Sequence, residues 1–345
     1  MTRNAVTLLM KNMLQKLIDR QDLTETETFS AVTAILRGEM TESQMGAFLA
    51  TLQAKGVTVD EICGGAAAMR SAAIRVQSLQ PDTLDTVGTG GDGGMTFNIS
   101  TTVAFVAAGA GATVAKHGNR ASSGRSGSAD CLEALGLNLQ VDPELMEEAL
   151  NEIGIAFLFA PSFHQAMRFA GPVRKQLGVR TLFNLLGPLT NPAGAPCQLI
   201  GVFAPEYTET FAHVLNKLGS RRVLVVHGQD GMDEITLTGT TRCSELKDGV
   251  VRTYDIDTYP FFGDPCTRED LEGGEAEENA VITREILTGA ITGPKRNIVL
   301  INAAASLLAA NRVDSLADGV AKAAEAIDSG AAYEKLVKLI EYSNV

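Results

Sequence analysis

The sequence has no long apolar run and few cysteines, and both shortages narrow the class of protein. No stretch of its 345 residues approaches the roughly 18 consecutive apolar residues of a membrane span. Polar and charged residues interrupt the amino-terminal segment MTRNAVTLLMKNMLQKL, which is unlike a signal peptide. The five cysteines are far apart without a C-x-x-C pair, so neither a zinc site nor a disulfide framework is expected. We expect a cytoplasmic protein with free thiols and no membrane contact.

Positive charge is also scarce, because 41 acidic residues outnumber 29 Lys and Arg and give a net charge of −12. A field of this sign repels polyanions, so we expect no nucleic-acid partner. A phosphate ligand would therefore need a local group of cations. The chain is longer than the roughly 250–300 residues at which a single core stops growing, which favours two domains.

The first 75 residues carry only helical signals. Apolar residues between Val6 and Leu17 recur at helical spacing. Gly38 and Gly56 stand where the next two helices should end. The starts of three helices are marked by capping boxes, Thr24-x-x-Glu27, Thr41-x-x-Gln44 and Thr58-x-x-Glu61. These patterns predict an all-α module of four short helices.

From about residue 82 short β-rich runs alternate with helical patterns, which is typical of parallel strands joined by crossover helices. The runs are LDTV, ATVAKH, IAFLFA, QLIGVFA and RRVLVVHG. Residues 260–280 read as an acidic surface loop. The Ala-rich tail predicts two or three helices, at about 295–311, 315–328 and 331–342.

We therefore predict an α/β protein with a small all-α amino-terminal domain hinged to a large α/β domain, whose mostly parallel central sheet is flanked by helices. The small domain spans residues 1–76, and a helical segment at about 168–192 returns to it. The large domain, with the phosphate-binding loops, comprises residues 80–165 and 195–345.

The segment GTGGDG (88–93) matches the G-x-G-x-x-G fingerprint of dinucleotide-binding loops. Such sites require an acidic residue about 20 positions after the glycines to bind the ribose. Here no acid occurs between residues 93 and 129, so we expect neither a nicotinamide nor a flavin. The same span contains three cations, Lys116, Arg120 and Arg125. This charge distribution favours another phosphate-rich ligand.

Two strand–loop–helix units lie within this span. The glycines allow backbone N–H groups to approach an anion, and Ser100 and Thr101 open the predicted helix that follows. A second loop, HGNRASSGRSGSAD (117–130), leads to Ser128 at the start of another predicted helix. Two such helix starts suit a ligand with phosphate at both ends.

Five segments resemble signature segments of the anthranilate phosphoribosyltransferase family. They are GEMTESQMGAFLATLQAKGVTVDEICGGAAAMR, GTGGDGGMTFNIST, VAKHGNRASSGRSGSADCLEALG, VRKQLGVRTLFNLLGPLTNPAG and HGQDGMDE. The resemblance implies Mg²⁺-dependent transfer of the 5-phosphoribosyl group from phosphoribosyl pyrophosphate (PRPP) to the amine of anthranilate in tryptophan biosynthesis. The products are N-(5-phosphoribosyl)anthranilate and pyrophosphate. It also implies a fold shared with pyrimidine nucleoside phosphorylases and a homodimer, and we expect no fused amidotransferase domain.

The resemblance also implies roles for individual residues. The PRPP contacts are Gly88, Gly91, Asp92, Thr96, Asn98, Ser100, Thr101, Lys116, Asn119, Ser123, Gly124 and Ser128. The anthranilate contacts are Gly88, His117, Asn119 and Arg174. The ligands of Mg²⁺, with two ions expected beside PRPP, are Ser100, Asp233 and Glu234.

The chemistry of these residues agrees with such a reaction. Carboxylates and phosphates are the oxygen ligands that Mg²⁺ prefers, and the planar fork of Arg174 suits a carboxylate. We expect catalysis by proximity and electrostatics without a covalent nucleophile. His117 is a candidate for positioning, and the use of a general base stays open. The other three histidines are expected to be structural.

Three other interpretations fit these motifs less well. A pyrimidine nucleoside phosphorylase-like enzyme would not need the Asp233–Glu234 pair. A nucleic-acid-binding paralogue of the same fold should carry a basic groove and a degraded substrate site. The segment DEITLTG (233–239) mimics the type I phosphoribosyltransferase motif, but HGQDGM separates its acids from the preceding strand.

Overall fold

The computed structural model describes residues 3–90, 95–121, 124–263 and 266–345, and for residues 3–8 only the backbone. The amino-terminal part is helical, as predicted. Its helices are α1 (Arg3–Ile18), α2 (Glu25–Leu36), α3 (Glu42–Lys55) and α4 (Val59–Ala72). All three capping boxes form, and Gly38 and Gly56 adopt positive φ angles of 68° and 91° just beyond α2 and α3. The local signals therefore set the ends of these helices.

Strands and helices alternate in the rest of the chain. The strands are β1 (Leu84–Gly88), β2 (Val114–Gly118), β3 (Ile155–Phe159), β4 (Cys197–Gly201), β5 (Arg222–Gly228), β6 (Thr241–Lys247) and β7 (Val250–Ile256). The helices up to β4 are α5 (Ile99–Gly109), α6 (Ser128–Ala134), α7 (Pro143–Glu152), α8 (Ala160–Phe163), α9 (Gly171–Leu177) and α10 (Leu182–Leu186). Those after β4 are α11 (Glu206–Lys217), α12 (Tyr259–Phe262), α13 (Ala276–Leu287), α14 (Pro294–Ala309), α15 (Leu316–Asp328) and α16 (Ala331–Ser343). Three 3₁₀ turns span Gln165–Phe169, Gly187–Leu189 and Glu269–Leu271.

The strands form one sheet in the order β3-β2-β1-β4-β5-β6-β7. Strands β1 to β5 are parallel, and β6 and β7 complete the edge as an antiparallel hairpin. The five β-rich runs seen in the sequence correspond to the parallel strands. The hairpin was not predicted, because β7 is a largely exposed edge strand with little apolar periodicity.

The prediction of an acidic surface loop at residues 260–280 holds only in part, because most of the described residues there are on the surface but some belong to helices or turns. This segment contains the end of α12, the turn Glu269–Leu271 and the start of α13. Leu271 is fully buried, and Thr96 forms an isolated antiparallel bridge with Glu272. Leu271 thus packs in the core, and the acid-rich composition of the segment gives no indication of this.

Helices cover both faces of the sheet. One core includes α5, α14 and α16, and the other includes α2, α4, α10 and α11. Helices α9 and α10 pack against α3 and α4. Because β1, β2, β4 and β5 run in the same direction, the loops after them lie at one edge of the sheet. No helix among the described residues is long and apolar enough to span a bilayer.

Candidate active site at the carboxyl ends of the strands

Helix α5 begins at Ile99, a few residues after the glycine loop in the sequence. Its first turn contains Ser100 and Thr101 and no acidic residue, so its free N–H groups and dipole favour an anion. The Thr86 hydroxyl donates to the Ser100 carbonyl over 3.1 Å, which ties the helix start to β1. Ser100 is half-buried, whereas the Thr101 hydroxyl is fully buried with no partner among the described residues. An anion bound at this helix would therefore be held mainly by the backbone.

The acidic loop after β5 lies against the glycine loop. Oδ2 of Asp233 accepts a 2.8 Å hydrogen bond from the backbone N–H of Gly90. A side chain at Gly88 would overlap the Asp233 carboxylate, and one at Gly201 would overlap its carbonyl group. Glycine at the ends of β1 and β4 therefore makes room for Asp233.

Hydrogen bonds from Asp230 and Asn302 hold the acidic loop after β5 in its conformation. Asp230 accepts hydrogen bonds from the Thr236 hydroxyl at 2.7 Å and from the Met232 N–H at 3.1 Å, so it faces inward. Asn302 of α14 accepts from the Ile235 N–H and donates to the Ile235 carbonyl, both at 2.9 Å. Both backbone polar groups of Ile235, the residue after Glu234, are thus hydrogen-bonded to Asn302.

Lys116 lies at the centre of this arrangement and is only 3% exposed. Its ammonium donates to the Thr86 carbonyl at 2.6 Å and lies 3.4 Å from Oγ of Ser100. Burial lowers the pKa of Lys116 to about 8, while the negative charges of Asp85 and Glu234 oppose that shift. Ser100 and Glu234 therefore both lie within the electrostatic reach of one buried cation.

Ser100, Asp233 and Glu234 offer a hydroxyl and two carboxylates, the hard oxygen donors that suit Mg²⁺. Within the described ranges, no group of three or more His, Cys, Asp or Glu side chains could hold a metal ion. A site with so few protein ligands fits the habit of Mg²⁺, which completes its shell with water and substrate phosphates.

The second loop closes on itself through Ser128. The Ser128 hydroxyl accepts from the backbone N–H of Asn119 and donates to its carbonyl, both at 3.2 Å. A side chain at Gly118 would overlap this hydroxyl. The Asn119 side chain accepts from the Arg120 N–H at 2.8 Å, and Asn119 and Gly124 are exposed. Ser128 thus shapes the loop around Asn119.

Asn98 connects three segments. Its Oδ1 accepts from the Ser126 hydroxyl at 3.1 Å and from the Asn279 amide at 3.0 Å. Its Nδ2 donates to the Ser126 carbonyl at 3.2 Å. Asn279 also bonds to both backbone groups of Gly274, next to the bridge between Thr96 and Glu272. This side-chain network joins the first loop, the second loop and α13.

The group of cations expected between residues 93 and 129 is weaker than the sequence suggests. Arg120 forms ion pairs with Asp130 and Glu133 at 2.9 and 2.7 Å, and Lys116 is buried between negative charges. Arg125 is exposed. Among these cations, Arg120 and Lys116 are therefore largely compensated by neighbouring negative charges, which leaves the start of helix α5 as a further source of positive potential at this edge.

Arg174 of α9 is half-buried, and its guanidinium carbon lies 5.4 Å from the centre of the Phe183 ring. No ion pair of Arg174 occurs among the described residues, and burial lowers its pKa. An arginine held in this way keeps its charge and can pair with a ligand carboxylate.

His117 follows Lys116 on β2 and is buried, with its ring centre 5.1 Å from that of His164. Burial lowers the pKa of His117 to about 3 and that of His164 to about 4. Nε2 of each ring has no partner among the described residues. Both imidazoles are neutral at physiological pH, which suits packing and positioning better than a charged role.

Three expected PRPP contacts, Gly91, Asp92 and Ser123, lie outside the described residues. Sequence reasoning also missed Asp85, Asn279 and Asn302. Each is a polar residue within a strand or helix, and each is at most 2% exposed. Asn302 interrupts the apolar run IVLINAAA, and a polar residue in such a run is a signal that could have marked it as hydrogen-bonded, although it does not identify the partner.

Comparison with known proteins agrees with this geometry. Two family models match, a glycosyl transferase α/β domain over residues 80–333 and a glycosyl transferase helical bundle domain over residues 11–73. Anthranilate phosphoribosyltransferase from Desulfosudis oleivorans is 57% identical over 330 residues, covering 96% of this chain and 97% of the relative.

Solved structures give the same result. Anthranilate phosphoribosyltransferase from Thermus thermophilus superposes with a TM-score of 0.91 at 44% identity, covering 96% of this chain and 99% of the other. The Saccharomyces cerevisiae enzyme in complex with PRPP and Mg superposes with a TM-score of 0.89 at 28% identity, covering 97% and 98%. The chain belongs to the anthranilate phosphoribosyltransferase family.

Proposed function

We propose that this chain transfers the 5-phosphoribosyl group from PRPP to the amine of anthranilate and releases pyrophosphate, using Mg²⁺ held by Ser100, Asp233 and Glu234. The observation that carries the assignment of the site is the contact between the Asp233 carboxylate and the glycine loop through the Gly90 N–H. It joins a metal-binding acid to an anion-binding loop. Family membership supplies the two substrates.

The bound metal would neutralise the charge that develops on the pyrophosphate leaving group. The chain's own residues do the rest by binding and orientation. The first-turn amides of α5 and the Gly88 backbone hold phosphate, and Arg174 pairs with the anthranilate carboxylate. His117, neutral and buried beside the second loop, positions anthranilate without carrying charge. The proposal needs no covalent nucleophile, because proximity and charge stabilisation suffice for the displacement.

The test is the loss of anthranilate fluorescence when PRPP and Mg²⁺ are added to the purified protein. We expect turnover that depends on both additions and stops with EDTA. Turnover of uridine or thymidine with inorganic phosphate, in place of anthranilate consumption, would contradict the proposal and support a nucleoside phosphorylase.

The finer features belong to the same proposal. We propose two Mg²⁺ ions per PRPP and no other cofactor, a small domain of residues 1–76 with the returning segment 168–192, and a large domain formed by residues 80–165 and 195–345. A homodimer would cover exposed apolar residues of the helical module, such as Ile18 at 62% and Phe29 at 36% exposure. The free state of all five cysteines suits the reducing cytoplasm. Light scattering on the purified protein tests the dimer.

A further inference from the structure

Strands β1 and β2 are neighbours in the sheet but pair at only one register position, Leu84 with Val114. By contrast, β1 pairs with β4 along all five of its residues, and β2 pairs with β3 along all five of its own. The two strands therefore stop pairing through backbone hydrogen bonds after their first residues. The glycine loop follows one of them and the second loop follows the other.

Where β1 and β2 no longer pair with each other, buried side chains form hydrogen bonds with their backbone groups. Oδ1 of Asp85 accepts the His117 N–H at 3.0 Å. The Lys116 ammonium donates to the Thr86 carbonyl at 2.6 Å, and the Asn191 amide donates to the Ala115 carbonyl at 2.7 Å. We call Asp85, Lys116 and Asn191 the wedge; they are 0%, 3% and 2% exposed.

The wedge carries opposite charges in the sheet interior. Burial raises the pKa of Asp85 to about 6, opposed by the neighbouring Asn191 and Lys116, whose own pKa is about 8. Closing the strands would break the hydrogen bonds that Asp85, Lys116 and Asn191 form with the backbone. A buried polar group left without its partner is costly, so the wedge resists such closing.

We propose that Asp85 and Asn191 are positioning residues that hold β1 and β2 apart and thereby set the distance between the two phosphate-binding loops. This inference rests on the proposed function, in which one PRPP molecule bridges the two loops. Neither residue needs to touch the substrate. A ligand that spans both loops requires the spacing, whereas a ligand that occupies one loop does not.

The experiment compares PRPP with inorganic pyrophosphate, both with Mg²⁺, by titration calorimetry on the full chain and its Asp85→Asn variant. We expect the Kd for PRPP to rise about tenfold or more and the Kd for pyrophosphate to change less than about twofold. An effect of charge alone would have the opposite sign, because removing a negative charge near the site would strengthen the binding of both PRPP and pyrophosphate. Equal changes for the two ligands, or tighter PRPP binding, would overturn the proposal.

Glu61→Gln is the matched control. Like Asp85, Glu61 is a fully buried carboxylate that accepts a backbone N–H, here from Leu23 at 2.9 Å, and it also forms an ion pair with Lys55. It lies in α4, outside both phosphate loops, so the ratio of the two Kd values should stay at the wild-type value. A shift of that ratio in Glu61→Gln would show that general destabilisation suffices and would refute the wedge.

Asn191→Leu provides a second variant if Asp85→Asn does not fold, and it should weaken PRPP selectively by the same reasoning. The proposed function is checked separately, by anthranilate consumption in the wild type. An inactive wild type contradicts the proposed function, whereas an active wild type with an unchanged Kd ratio in the folded variants contradicts the wedge alone.

Discussion

Replacement of Asn302 by Leu should weaken Mg²⁺ binding without touching a metal ligand. The side chain is fully buried in α14 and forms two 2.9 Å hydrogen bonds with the backbone of Ile235, directly after Glu234. Leucine fills a similar volume but leaves a buried N–H and a buried C=O without partners. Each unpaired group lowers the stability of the folded state by about 1–3 kcal/mol if the loop stays in place.

The loop can avoid that cost by moving toward water, which carries Asp233 and Glu234 away from the glycine loop. If about 1.4–2.8 kcal/mol of the penalty appears as lost metal affinity, the Mg²⁺ concentration for half-maximal rate rises about 10- to 100-fold. The assay measures initial rates of anthranilate consumption against free Mg²⁺ at saturating PRPP. Excess Mg²⁺ should restore most of the turnover.

Ser306→Ala is the control for this variant. Ser306 lies one turn further along α14 and is equally buried, and among the described residues its hydroxyl bonds only to the Asn302 carbonyl within its own helix. Its loss should lower stability slightly and leave the Mg²⁺ dependence unchanged. If Asn302→Leu is folded and shows the wild-type Mg²⁺ dependence, the loop is positioned by other contacts and the reasoning is wrong.

Other predictions concern the site directly. Asp233→Asn combined with Glu234→Gln should lower turnover by about 10²–10³ through lost metal binding, and unchanged activity would remove both from the metal site. Arg174→Ala should raise the KM for anthranilate and leave PRPP binding nearly intact; an equal loss of both affinities would count against a carboxylate contact. Because the folded-state pKa values of His117 and His164 lie below the ordinary 6.5, folding stability that is present above pH 6.5 is lost as the pH falls. His164→Gln should therefore lose less unfolding free energy than wild type between about pH 7.5 and about pH 5 in urea titrations, and an equal loss would show that His164 titrates normally.

Local signals predicted much of this fold because they act over a few residues. The capping boxes at Thr24, Thr41 and Thr58 bond within their own first turns, so sequence alone locates those helices. The parallel strands are buried on both faces and read as apolar runs. Strand β7 and the turn at Leu271 were not predicted from the sequence, because they are determined by tertiary packing and not by a local pattern.

The same distinction applies to the site. The motifs identified Ser100, Asp233 and Glu234, whose residue types suit a metal. The residues that fix the loops around the site form hydrogen bonds over long separations in sequence. Asn302 bonds to Ile235, 67 positions away, and Asn279 bonds to Asn98, 181 positions away. No pattern within one segment can predict such a partner.

The electrostatics of the site agree with the proposed use of metal. The acid-free span from residue 93 to 129 is not a free cationic surface, because Arg120 is paired with Asp130 and Glu133 and Lys116 is buried beside Asp85 and Glu234. In a chain with a net charge of −12, PRPP meets few uncompensated side-chain charges at this edge. Helix α5 contributes only a partial positive charge. In the proposed function the Asp233–Glu234 pair, itself negative, would repel a polyanion unless the pair held divalent metal, so we expect substrate and metal to bind as one unit.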